Sequence, residues 1–224
     1  MDSFAEQRER MVRTQIASRG VRDPAVLAAM RAVPRERFVS EALAPYAYED
    51  RPLPIEAGQT ISQPFMVATM AKALRLSERD RVLEVGAGSG YAAAVISRIA
   101  AEVYAVEIHE PLFALAKSRI EALGYDNVHL RHANGSLGWV EHAPYDGILV
   151  SAGAPAVPKP LQDQLAVGGR LVIPLGHSPI SQVLVRVTRV GEDAFEREDL
   201  DLVAFVPLVG AEGWSDPSSE RRAH

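Results

Sequence analysis

Apolar and polar residues follow two different patterns along this 224-residue chain. In the N-terminal part the apolar residues recur at helical spacing. The stretch FAEQRERMVRTQIAS predicts a helix that ends at Gly20, and PAVLAAMRAV predicts a second, which Asp23 caps and Pro34 closes. A short helix is expected near residues 35–41. The proline-rich residues 44–64 predict a long ordered loop, and a loop of that length inside a compact domain is often functional.

Beyond residue 64 the pattern changes to short apolar runs that alternate with helical segments. The predicted strands are RVLEVG, EVYAVE, NVHLRH, YDGILVSAG and RLVIPLG. The predicted helices are PFMVATMAKALRL, residues 90–100, PLFALAKSRIEAL and PKPLQDQLAVGG. Alternation of this kind indicates an α/β protein with a doubly wound, mostly parallel sheet covered on both faces. SQVLVRVTRV and FEREDLDLVAFVPL predict an antiparallel pair that closes the sheet.

The length of the chain suits one large domain. We expect this domain to cover residues 1–213, with N-terminal helices and a substrate loop in 1–63 and the α/β core in 64–213. Residues 214–224 are polar and are expected to form a frayed tail.

Charge and composition exclude several classes of partner. The net charge is −5, and acidic and basic residues are mixed without a basic stripe, so nucleic acid is not an expected partner. The charged N-terminus and the lack of a long apolar run predict a cytoplasmic protein without a membrane partner. The chain has no cysteine, which excludes thiolate chemistry. His129 and His132 would face opposite sides of a strand, so no metal site is expected.

The stretch EVGAGSGY places Gly86, Gly88 and Gly90 between a predicted strand and a predicted helix. Such a turn lets backbone N–H groups approach a ligand. The dinucleotide fingerprint would need a small residue where Tyr91 stands, whereas G-x-G-x-G is common in methyltransferases that use S-adenosylmethionine. Glu107 ends the next strand, where a carboxylate can hold a ribose diol. The alternative is a tight structural turn with an unrelated surface acid.

Several stretches together resemble the protein-L-isoaspartate O-methyltransferase family. These are DPAVLAAMRAVPRERFV, GQTISQPFMVA, VLEVGAGSGY, VEI, YDGILVSAG, LQDQLAVGGRLVIPLG and FVPLV. The segment SAGAP also replaces the tetrapeptide with which amino-methylating nucleic-acid enzymes hold a flipped base. The resemblance implies a Rossmann-like, seven-stranded methyltransferase sheet with added N-terminal helices, and S-adenosylmethionine as cofactor. It also implies methylation of the α-carboxylate of L-isoaspartyl residues in damaged proteins, followed by succinimide formation and partial return to aspartate. We expect a monomer.

The resemblance assigns Ser62 to the catalytic centre. The residues expected to contact the cofactor are Gln59, Thr60, Ile61, Ser62, Gly86, Ala87, Gly88, Gly90, Glu107, Ile108, Asn134 and Gly135. The chain departs from the family pattern in two places. Glu56 and Ala57 stand where relatives have a glycine directly after the isoleucine. Asn134 stands where relatives carry an aspartate, which removes a charge from a predicted contact with adenine.

The acceptor needs no general base, because a carboxylate with an ordinary pKa of ~3.3 to 3.9 is already ionised near neutral pH. A hydroxyl such as that of Ser62 can position it without adding charge. The alternative is that Ser62 only caps the helix that starts at Pro64. Two other functions stay open: a relative that methylates aspartate in one dedicated peptide, and a catalytically silent protein that binds the cofactor.

Overall fold

The computed structural model describes residues 2–178 and 181–214 of the chain. Its α-helices are α1 (Phe4–Met11), α2 (Pro24–Ala32), α3 (Pro64–Leu74), α4 (Tyr91–Ile96), α5 (Glu110–Ala122) and α6 (Lys159–Asp163). A short ribbon consists of β1 (Leu53–Pro54) and β2 (Thr60–Ile61). The main sheet consists of β3 (Arg81–Val85), β4 (Glu102–Glu107), β5 (Val128–His132), β6 (Tyr145–Val150), β7 (Leu165–Ser178), β8 (Ser181–Arg189) and β9 (Phe195–Val203).

The main sheet is seven-stranded, with the order β5-β4-β3-β6-β7-β8-β9. The pairs from β5 to β7 are parallel, and β8 and β9 are antiparallel. The predicted doubly wound, mostly parallel sheet is therefore confirmed. Strand β3 lies between β4 and β6, so the winding direction reverses beside it. Crevices that bind ligands form at the carboxyl ends of strands at such a reversal.

The sheet is covered on both faces, which explains why its central strands are apolar runs without alternation. Along β3, Val82 packs in one hydrophobic cluster while Leu83 and Val85 pack in another. The first cluster also holds Met11 and Met30 from the N-terminal helices. Those helices therefore share the core of the sheet.

The N-terminal helices begin and end as their sequences predict. Ser3 and Glu6 form a reciprocal cap at the start of α1. The helix continues through a wider turn, and Gly20 ends it with a φ of 92°. The Asp23 side chain accepts hydrogen bonds from the backbone N–H groups of Ala25 and Val26, so it caps α2 as predicted.

The structure shortens some of the predicted elements. Helix α6 ends at Asp163, whereas PKPLQDQLAVGG was expected to be helical throughout. Leu165 instead begins β7 and pairs with Tyr145, so strand pairing overrides the local helical pattern. Likewise, α4 ends at Ile96 rather than near residue 100. The expected loop over 44–64 contains short helical turns and the β1–β2 ribbon.

At the C-terminal end, β9 stops at Val203, and FVPL runs on as an extended segment beside the sheet. Within the predicted frayed tail, residues 214–224, the backbone N–H of Trp214 donates to Leu208 O at 2.7 Å and its indole N–H donates to Gly153 O at 3.1 Å. Residues 215–224 lie outside the described residues. Among the helices of the described part, none has the length and apolar character that crossing a membrane requires.

Candidate active site

A cleft of about 870 Å³, including its mouth, opens where strands β3, β4 and β6 end. One wall is the turn that follows β3, and a second is the segment from Gln59 to Ser62. The third is the extended segment from Val206 to Val209. These walls bring together the glycine-rich motif, the TIS motif and FVPL, which are far apart in the sequence.

The glycine turn places bare backbone against the cleft. Gly86, Gly88 and Gly90 have φ values of 85°, 54° and 87°, a region that side chains other than that of glycine rarely adopt. The N–H groups of Gly86 and Ala87 donate to the carbonyl oxygen of Val106 at 2.9 and 3.1 Å. The turn is therefore held by main-chain bonds to the end of β4, and its conformation requires glycine.

Glu107 ends β4 and is only 4% exposed. Its Oε2 accepts a hydrogen bond from the backbone N–H of Gly88 at 2.8 Å, and its Oε1 accepts one from the N–H of His109 at 2.9 Å. An ionised carboxylate has about four acceptor sites, so both oxygens can accept further bonds from hydroxyl groups. Glu107 therefore joins the two strand ends while its carboxylate still lines the cleft.

Glu84, in the middle of the apolar run of β3, is a site residue that the sequence analysis did not identify. It lines the cleft and is 1% exposed. Its Oε1 accepts from the Ser151 hydroxyl at 3.2 Å, whereas its Oε2 is buried without a hydrogen-bond partner. Burial raises the pKa of this carboxyl to about 8, with a smaller contribution from the charge of Glu107 and against the bond from Ser151. A carboxylate inside an apolar strand was the available signal.

Ser62 follows the β1–β2 ribbon and is half-buried in the cleft. The ribbon pairs Leu53 with Ile61 and so carries the serine to the cleft wall. The N-cap of α3 is Gln63, not Ser62, and no side chain caps that helix. Among the described residues, none forms a hydrogen bond with the Ser62 hydroxyl. The geometry thus gives the capping alternative no support and leaves the hydroxyl free for a ligand.

The third wall is fastened to the end of β6. Gly153 N–H donates to the carbonyl of Val206 at 2.8 Å, and Leu208 N–H donates to the carbonyl of Gly153 at 2.7 Å. The Phe205 backbone is held from the other side by the buried amide of Gln182, at 2.9 and 3.1 Å. Hydrogen bonds thus hold FVPL in place at the edge of the cleft that the Ser62 segment also lines.

The cleft brings together most of the predicted site residues. Those that line it are Gln59, Thr60, Ile61, Ser62, Gly86, Ala87, Gly88, Glu107, Ile108 and Gly135. Gly90 does not line the cleft. It packs against helix α5, where a Cβ on Gly90 would lie 3.4 Å from the Cβ of Ala116. Gly135 fits closely against β3, since a Cβ there would lie 2.7 Å from Val85 Cγ1.

Asn134 is the other predicted contact that does not line the cleft. Its Oδ1 accepts hydrogen bonds from the backbone N–H and the hydroxyl of Ser136, at 3.1 and 2.8 Å. The side chain therefore caps the short turn 135–137, a role that asparagine often fills. In this conformation its oxygen is bonded to Ser136, and the contact with adenine stays a prediction.

The two histidines of β5 have separate environments. His129 Nε2 lies 2.7 Å from Glu102 Oε2, and its ring stacks on Tyr104. The His132 ring stacks on Phe113 of α5. A search of the described residues for three or more metal-binding side chains close together found no such group.

Comparison with known proteins places this geometry in a family. The model of the family described as protein-L-isoaspartate(D-aspartate) O-methyltransferase matches residues 6–213. The chain is 62% identical over 208 residues to protein-L-isoaspartate O-methyltransferase 2 of Pelobacter propionicus, covering 93% of this chain and 92% of that protein. It is 57% identical over 212 residues to protein-L-isoaspartate O-methyltransferase 1 of Geotalea uraniireducens, covering 95% and 97%.

Solved structures agree with the sequence comparison. A structure described as a protein-L-isoaspartate O-methyltransferase superposes with a TM-score of 0.83 at 30% identity, covering 92% of this chain and 66% of that one. A Plasmodium falciparum structure, described as a putative enzyme of the same name in complex with S-adenosyl-L-homocysteine, gives 0.79 at 28% identity, with 93% and 99% covered.

Proposed function

The chain belongs to the protein-L-isoaspartate(D-aspartate) O-methyltransferase family, and on this premise we propose how its cleft performs the reaction. The enzyme transfers a methyl group from S-adenosylmethionine to the α-carboxylate of L-isoaspartyl residues in damaged proteins. The neighbouring backbone nitrogen then attacks the ester carbonyl and methanol leaves, and hydrolysis of the resulting succinimide restores part of the aspartate. The observation that carries the proposal is the free hydroxyl of Ser62 in the same cleft as Glu107 and the glycine turn.

The cleft suits a donor that carries a diol and positive charge. Glu107 offers two carboxylate oxygens to the ribose hydroxyls, and the turn 86–88 has no side chain beyond one methyl group to obstruct the nucleoside. The carboxyl of Glu84 is protonated near neutral pH in the donor-free protein, and a cation bound beside its unpartnered oxygen would favour its ionised form. Gly135 and Ile108 complete the wall beside the nucleoside. When bound, S-adenosylmethionine supplies an activated methyl group on a positively charged sulfur.

Ser62 acts by positioning, not by proton transfer. The α-carboxylate is ionised near neutral pH, so the protein has no proton to remove. The Ser62 hydroxyl donates to one carboxylate oxygen and directs the other toward the methyl group. Because a neutral donor stabilises the carboxylate less than a full charge would, its nucleophilicity is retained.

The acceptor peptide lies between the Ser62 segment and FVPL. Both segments line the same cleft, and hydrogen bonds from the main chain and from the buried Gln182 amide hold the FVPL wall. Contacts through backbone groups suit an enzyme that must accept isoaspartate in many sequences. A bound isoaspartyl peptide should therefore slow amide exchange in both walls, and unchanged exchange in both would contradict this placement.

Methyl transfer to matched peptides tests the proposed function. The purified protein receives S-adenosylmethionine with a tritiated methyl group and either an isoaspartyl peptide or its aspartyl counterpart. Base-labile label, released as volatile methanol, is expected with the isoaspartyl peptide alone. Label on the aspartyl peptide alone would favour an enzyme for a dedicated aspartate, and label on neither, with donor bound, would favour a silent binding protein.

The working unit is proposed to be a cytoplasmic monomer that uses neither nucleic acid nor a membrane. The interspersed charges of the sequence support this proposal. We also propose that residues 1–213 act as one domain, which the hydrophobic cluster shared by the N-terminal helices and the sheet supports. Light scattering of the purified protein tests the monomer, and a dimer mass would overturn it.

A further inference from the structure

The hairpin that carries the site segment lies over the glycine turn. Residues 53–61 form this hairpin. Two hydrogen bonds close it: Ile55 N–H donates to Gln59 O at 2.9 Å, and Gln59 N–H donates to Glu56 O at 3.2 Å. At its tip, a Cβ on Gly88 would lie 3.6 Å from Ile55 Cδ1. The tip therefore lies at van der Waals distance from the backbone that receives the donor.

The same tip packs on α5, and a pair of opposite charges faces across that contact. Glu56 is in the tip, and Arg119 is on the helix. Glu56 Oε2 and Arg119 Nη1 are each buried without a hydrogen-bond partner. Burial lowers the pKa of Arg119, and the charge of Glu56 opposes that shift, although the two side chains form no hydrogen bond in this structure.

Burying two polar atoms of opposite charge without hydrogen-bond partners lowers the stability of the fold unless the two atoms interact with each other. Helix α5 is also the support of the glycine turn, since Ala116 and Ile120 lie against Gly90. A link between Glu56 and Arg119 would therefore join the hairpin and the glycine turn through one helix.

We propose that Glu56 and Arg119 pair to hold the 53–61 hairpin on the glycine turn, and so act as positioning residues that retain the donor and its product in the cleft. This inference rests on the proposed function for the identity of the donor. The pair does not touch the reacting atoms, so it sets how tightly the donor is held and leaves the chemical step unchanged.

A double-mutant cycle tests the pair. The variants are Glu56→Gln, Arg119→Gln, both together, and the charge reversal Glu56→Arg with Arg119→Glu. Calorimetry measures the Kd of S-adenosylhomocysteine without any acceptor. Either single change is expected to raise the Kd roughly threefold to tenfold, and the double change should be no worse than one single change. The reversed pair should recover most of the affinity. Glu121→Gln and Lys117→Gln, exposed charge changes on the same helix, serve as matched controls.

Kinetics separate positioning from a general structural role. With an isoaspartyl peptide, the KM for S-adenosylmethionine should rise by the same factor while kcat stays within about twofold. If Glu56→Gln folds poorly, as judged by its unfolding transition, Glu56→Ala removes the same charge without leaving a polar amide in the contact. Single variants that bind like the parent, additive losses in the double variant, or no recovery on charge reversal would each overturn the pair. Donor binding with no transfer to the isoaspartyl peptide would count against the proposed function alone.

Discussion

The two main walls of the cleft are built in opposite ways. The glycine turn is fixed by main-chain bonds to β4 and by a buried carboxylate, Glu107. The hairpin 53–61 has two strands of only two residues each. Its tip contacts α5, and the Ile55 side chain lies against Gly88. The backbone angles of the turn require glycine, whereas the position of the hairpin depends on the side chains at its tip. The wall formed by the glycine turn is therefore constrained by backbone geometry, and the wall formed by the hairpin is constrained by its side chains.

Glu107→Ala should cause the largest loss, because it affects the wall that depends on the backbone. The change removes the carboxylate that accepts hydrogen bonds from two partly buried N–H groups and that is proposed to bind the ribose, and each such bond is worth ~1.5 to 3 kcal/mol. Donor affinity should fall about 100-fold or more, and the free energy of unfolding should decrease. Calorimetry with S-adenosylhomocysteine and urea denaturation measure the two effects. Glu110→Ala, an exposed neighbour, is the control; a loss below about threefold for Glu107→Ala would refute its role.

Ser62→Ala should separate the two walls, because it affects turnover and not donor binding. Loss of one hydrogen bond to a charged group predicts a kcat roughly tenfold to a hundredfold lower. The Kd for S-adenosylhomocysteine and the unfolding transition should stay at parent values. Ser40→Ala, outside the cleft, should leave all three unchanged. A parental kcat in Ser62→Ala would remove the serine from the site.

Glu84→Gln should change the pH dependence of stability. The pKa of Glu84 is about 8 in the folded protein against an ordinary 4.5. Between these pH values the folded state keeps a proton that the unfolded chain has released, so stability falls as pH rises. The slope is up to ~1.4 kcal/mol per pH unit, and it ends above the folded pKa. Urea denaturation of the donor-free protein from about pH 5 to 8 should show this slope in the parent and a flatter one in the variant. Identical slopes would contradict a protonated Glu84.

Ala57→Gly should have the smallest effect and sharpen the contrast between the walls. Ala57 holds a φ of 55°, which costs a residue with a side chain about 1 kcal/mol or more. Glycine should therefore raise the Tm by about 2 to 4 °C for a chain of this size. Ala122→Gly at the end of α5 should lower it, because its backbone is helical. A lower Tm for Ala57→Gly would show that the hairpin is not strained there.

The wall that depends on the backbone was the more predictable part from sequence. Three glycines between a strand and a helix, with Glu107 at the next strand end, fix a turn because few other residues adopt its dihedral angles. The parallel sheet follows from apolar runs without alternation. The prediction was wrong after Asp163. LAVGG has the pattern of a helix end with a glycine cap, but it begins β7 and pairs with β6.

Side-chain direction and burial could not be read from the sequence. Asn134 occupies the expected position but turns its oxygen to Ser136, a local bond that competes with any ligand. Glu84 is a candidate site residue because one of its oxygens is buried without a hydrogen-bond partner. That burial depends on all the elements packed around β3. The same holds for Glu56, because the burial of its unpartnered oxygen depends on the folded structure.

A crystal structure with S-adenosylhomocysteine and an isoaspartyl peptide tests the central claim most directly. The account predicts that an oxygen of the α-carboxylate lies within about 3 Å of Ser62 Oγ, with the ribose hydroxyls on Glu107. A carboxylate bound elsewhere in the cleft, with the Ser62 hydroxyl turned away from it, would contradict the account.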